Sequence, residues 1–89
     1  MNLENEMALI LVEREFEEPV TFAEVQALEQ ASGDCFTLRS IEFLHSYFSA
    51  DRTRMICVYE AADAESVREA NRLAELPFSQ VWSATKITP

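Results

Sequence analysis

The run MALILVEREF, residues 7 to 16, is apolar at nearly every position through Val12. Side chains alternate across a strand, so Ile10, Val12 and Phe16 share one side, and Leu9, Leu11 and Glu13 share the other. A strand that is apolar on both sides belongs at the centre of a sheet covered on both faces. MICVYE, residues 55 to 60, repeats the property, with Ile56 and Val58 opposing Met55, Cys57 and Tyr59. Two strands of this kind require apolar cover above and below the sheet, and any fold for these 89 residues has to supply it.

The segments between them supply half of that cover. EEP at residues 17 to 19 ends the first strand, and Thr21 followed three residues later by Glu24 has the form of a capping box. A helix is expected to follow, with Phe22, Val25, Leu28 and Ala31 facing inward and Glu24, Gln26, Glu29 and Gln30 outward, until Ser32, Gly33 and Asp34 stop it. Aromatic and β-branched residues then predict a strand over about 38 to 48, and SADRTR is the turn of a hairpin closed by MICVYE. Asp63 caps a second helix whose Val67, Ala70, Leu73 and Ala74 oppose Glu65, Arg68, Glu69 and Arg72. Pro77 prevents its continuation, and VWSATKI, residues 81 to 87, supplies a last strand.

The order βαββαβ is that of an α+β, ferredoxin-like sandwich, in which two helices cover one face of a four-stranded antiparallel sheet. Residues 1 to 6 read as an N-terminal tail and residues 7 to 89 as a single domain. Two helices cover only one face, so the second cover is expected to be another copy of the same sheet. A homodimer with sheets face to face, an α/β barrel, satisfies both inner strands.

Charge and composition narrow the function. Asp+Glu 16 against Lys+Arg 7 gives a net charge of -9, which argues against sequence-independent binding to nucleic acid or to anionic membranes. MNLENEM has no basic stretch followed by an apolar one, and no apolar run approaches a membrane span, so a cytoplasmic location is expected. The two cysteines, Cys35 and Cys57, form no CxxC pair, and a single glycine excludes a glycine-rich phosphate loop.

The only histidine, His45, lies in the apolar run FLHSYF. If Ile10, Val12, Leu44, Phe48, Ile56 and Val58 lie under the helices, then Glu13, Phe43, His45, Tyr47, Cys57 and Tyr59 project into the space between the two sheets. Glu60 has the other parity, but it ends its strand, where a bulge would redirect it. An imidazole there serves either as a hydrogen-bonded core group or as a metal ligand or proton carrier. Glu13 is a candidate second ligand or general base, or else a partner of Arg14 or Arg54. Tyr47 and Tyr59 either pack with their hydroxyls partnered or line a functional pocket, and Cys57 is either a small hydrophobe or half of a Cys–His nucleophilic pair with His45. Mixed imidazole, carboxylate and water ligands suit nickel or another octahedral divalent ion.

VER at 12 to 14, LHSYFSAD at 44 to 51, CVYEA at 57 to 61 and the following DAESVRE together resemble a family of small bacterial proteins whose best-described members bind nickel and respond to it. The resemblance implies a ferredoxin-like fold that dimerises into a barrel, with divalent nickel bound in some members. Carried over position by position, it highlights Glu13, His45 and Glu60 as metal ligands, with Tyr47 and Tyr59 lining the cavity. The resulting expectation is a protein that binds a divalent metal and senses or buffers it. The alternative is an isomerase-like or monooxygenase-like enzyme using the barrel cavity, with His45 or Glu13 as acid and base.

Overall fold

Ala8–Glu15, most of the first apolar run, form β1 in the computed structural model of the chain, which describes residues 7–89. The expected tail, residues 1–6, lies outside the described residues. The remaining elements are α1 (Phe22–Thr37), β2 (Glu42–Phe48), β3 (Arg54–Ala61), α2 (Ala64–Leu73) and β4 (Gln80–Ala84). The expected βαββαβ order is therefore present, in a four-stranded antiparallel sheet of order β2-β3-β1-β4 with the two twice-apolar strands at its centre.

Local chemistry explains where the helices begin. The Thr21 hydroxyl accepts from the Glu24 N–H at 3.1 Å, and the Glu24 carboxylate accepts from the Thr21 N–H at 2.8 Å, which closes the capping box. Asp63 caps α2 by accepting from the Ser66 N–H at 2.7 Å.

α1 departs from expectation in two ways. It runs through Gly33 and Asp34 to Thr37, where a stop followed by strand was expected. A glycine inside a helix costs about 1 kcal/mol. Burial of Phe36 one turn further on outweighs that cost, and Ser40 in the left-handed region then turns the chain into β2. The helix is also rotated about its axis. Its buried stripe is Val25, Ser32 and Phe36, with part-buried Glu29 between them, whereas Phe22 and Leu28 are exposed.

The pairing register fixes the two faces of the sheet. Ile10 pairs with Tyr59, Val12 with Cys57 and Arg14 with Met55, and these residues lie under the helices. The core they form with Val25, Phe36, Val67, Ala70 and Val81 includes Cys57 and Tyr59, which were expected to face the opposite way. The expectation placed β1 correctly and β3 one residue out of register, and a shift of one residue moves every side chain of a strand to the other face. Ile56 and Val58 therefore point away from the helices, with Leu9, Leu11 and Glu13. Small residues at Cys57 and Ala61 suit the helix side, where α2 presents fully buried Val67 and Ala70.

β2 carries a bulge between Phe43 and His45. Glu42 pairs with Glu60 and Phe43 with Tyr59, but His45 pairs with Val58, which leaves Leu44 as the extra residue. The bulge puts Phe43 and Phe48 on the helix side, and both Glu42 and His45 on the open side.

Candidate functional site

On the uncovered face, the register arranges side chains in three rows running across the strands. The first is Glu42, Glu60, Leu9 and Ala84; the second is His45, Val58, Leu11 and Trp82; the third is Tyr47, Ile56, Glu13 and Gln80. Val58, at the centre, is only 5% exposed, while Tyr47 is 64% and Trp82 41% exposed. The face is thus an apolar band with the chain's only imidazole at one edge and carboxylates in its two outer rows.

His45 and Tyr47 stand side by side on β2, their rings edge to face with centroids 5.3 Å apart. That contact orients the imidazole. Glu60 lies on the neighbouring strand one row away, a diagonal neighbour at about 7–8 Å between backbones. Glu42, which sequence reasoning missed, flanks Glu60 directly. Only the bulge brings it there, because strict alternation from His45 would send it under the helices.

Glu13 is not brought to His45. Two strand spacings of about 4.8 Å and one row separate them, and the Glu13 carboxylate accepts a hydrogen bond from the Trp82 indole N–H at 2.8 Å. Glu13 and Tyr47 instead border a cleft of about 290 Å³ at the hairpin end, with Ser49, Arg54 and Ile56.

Tyr59 and Cys57 leave the site altogether. The Tyr59 hydroxyl accepts from Arg14 Nη2 at 3.1 Å on the helix side, and burial pushes its pKa up. Burial also pushes the Cys57 thiol up, with Arg14 opposing, so this cysteine is held as a neutral thiol. A Cys57–His45 pair is excluded because the two side chains point to opposite faces. The corrected set on the open face is His45, Glu60, Glu42 and Tyr47, with Glu13 apart.

Residues 11–83 match the family described as nickel responsive protein SCO4226-like. The chain belongs to the SCO4226-like family. VER, LHSYFSAD and CVYEA all lie within the matched residues, as the resemblance required. A crystal structure of SCO4226 from Streptomyces coelicolor A3(2) matches with a TM-score of 0.80 at 14% identity, covering 91% of this chain and 100% of that one. At that identity the likeness establishes the ferredoxin-like fold. No curated protein matches the chain by sequence.

Nickel and similar divalent ions take imidazole nitrogen and carboxylate oxygen as ligands. His45 and Glu60 offer an imidazole nitrogen and carboxylate oxygens, which are of the right kind for a divalent first-row ion. Among the described residues, however, no three His, Cys, Asp or Glu side chains of one chain come together as a metal site. His45, Glu60 and Glu42 of one SCO4226-like chain do not form such a cluster. Among the described residues, too, no helix is long and apolar enough to cross a membrane.

Proposed function

We propose that the protein binds a divalent cation of the nickel type as a homodimer, with His45 as the principal ligand and Glu60 and Glu42 as its carboxylate neighbours. The observation that carries this reading is the uncovered sheet face, in which Leu9, Leu11, Ile56, Val58 and Trp82 form an apolar band with the single histidine at its edge. A second sheet laid on this face buries the apolar band. It also brings a second set of donors over the first, which supports a site completed across the two-fold axis. The edge-to-face contact with Tyr47 orients the imidazole. Membership of a family described as nickel responsive supports a role in sensing or buffering the ion.

Nickel titration of the folded protein tests the reading, followed by thermal unfolding and by light scattering. An ion that binds only the native state adds about 2.7 kcal/mol of stability at 100 times its Kd. The wild type is expected to gain stability with nickel, His45→Ala to lose the response, and Glu60→Gln to weaken it. Equal responses in wild type and His45→Ala would remove His45 as the ligand.

A further inference from the structure

A second concave site lies on the other side of the sheet. α1 stands off from β2 and β3 over a groove of about 330 Å³, within the size range of small-molecule sites. Its floor is aromatic: Phe36 stacks on Tyr59 with centroids 5.2 Å apart, and Phe43 tilts against Tyr59 at 5.6 Å. Ile41 and Leu76 extend the apolar surface, and Gln26, Gln30 and Thr37 line the groove from the helix.

Among the described residues one carboxylate lines this groove, that of Glu29. The rotation of α1 places it in the buried stripe between Val25 and Ser32, where an apolar residue would be usual. Among the described residues its side chain has no hydrogen-bond or ion-pair partner. Arg14 is the cation that acts on it, but the Arg14 N–H groups are directed to Asn71, Pro77 and Tyr59, and no ion pair joins the two. Partial burial pushes the Glu29 carboxyl above its usual pKa, as expected for a charge deprived of water without a partner in contact.

We propose that this groove binds a small organic amine, its ammonium group paired with Glu29 and its flat apolar body resting on Phe36, Phe43 and Tyr59. An ammonium supplies the opposite charge that Glu29 lacks. Aromatic rings are the surface on which a cation with an apolar body rests best. The site is independent of the proposed cation site, because His45 and Glu60 lie on the opposite face of the sheet.

The probe is phenethylammonium, with neutral 2-phenylethanol as its counterpart, followed by calorimetry and by backbone amide shifts. Wild type is expected to bind the ammonium about ten-fold or more tightly than the alcohol, in line with a charge-assisted hydrogen bond. Shifts should centre on Gly33, Phe43 and Tyr59. Glu29→Gln is expected to abolish the preference. Gly33→Leu is expected to block the groove, because a Cβ there meets nothing within 4 Å and the change removes a helical glycine, so folding is preserved. His45→Ala should bind as wild type does. Equal affinity for amine and alcohol, full binding by Glu29→Gln, or no binding by wild type would each overturn the proposal.

Discussion

A guanidinium inside a protein usually faces a carboxylate, and Arg14, 5% exposed, has none in contact among the described residues. Its Nη1 donates to Asn71 Oδ1 at 2.7 Å and to the Pro77 carbonyl at 2.8 Å, and its Nη2 to the Tyr59 hydroxyl. Asn71 in turn donates to the Val67 carbonyl at 2.7 Å, so one charge ties β1, β3, α2 and the segment before β4 together through neutral dipoles. The planar fork is what reaches three partners at once. Arg14→Lys keeps the charge but cannot span them, and it is expected to lower the free energy of unfolding by about 1–3 kcal/mol in a denaturant titration. A midpoint equal to that of the wild type would show that these bonds contribute nothing net. This residue also shows why sequence alone misread the interior: Arg14 shares parity with Ile10 and Val12, yet its charge made it look like a surface partner for Glu13.

At the scale of elements, Asp51 joins Ser49 in holding the turn of the β2–β3 hairpin. Asp51 accepts from the Ser49 hydroxyl at 2.7 Å and from the Thr53 hydroxyl and N–H at 2.7 and 3.0 Å. These bonds, the Ser49 hydroxyl foremost, lower its pKa from 3.8 to about 2. A carboxyl whose pKa is depressed on folding contributes stability that is present above its unfolded value and is lost as pH falls through the folded one. Acid unfolding between about pH 4 and pH 2 is therefore expected to be shallower in Asp51→Asn than in wild type, as read from unfolding midpoints across that range. Identical pH profiles would remove Asp51 from the acid response. The turn, both helix caps and the order of six elements were legible because they rest on contacts within a few residues. The end and rotation of α1, the register of β3 and the bulge at Leu44 were not, because each is decided by partners distant in the chain. Tyr59 was assigned to the wrong face and Glu42 was overlooked for that reason.

The described residues form a two-layer sandwich that leaves one face of the sheet bare, and the charge of -9 is spread over a chain of 10.2 kDa. If the bare layer is the dimer surface, a charge at its centre disrupts the assembly without entering the helix-covered core. Leu11→Glu, on the row between Val58 and Trp82, is expected to halve the mass measured by light scattering while circular dichroism stays unchanged. A wild type already at 10.2 kDa would overturn the dimer. The bulge in β2 also has a thermodynamic consequence. By sliding the strand one residue it sets Glu42 opposite Glu60, and like charges in that position repel. In the proposed dimer, closing two such faces on each other would bring four of these carboxylates toward one another, an electrostatic load that a bound cation would relieve. In that dimer, cation uptake and association would be reciprocal: each would raise the affinity of the other by the same factor, and a change in ion concentration would become a change in the mass of the assembly.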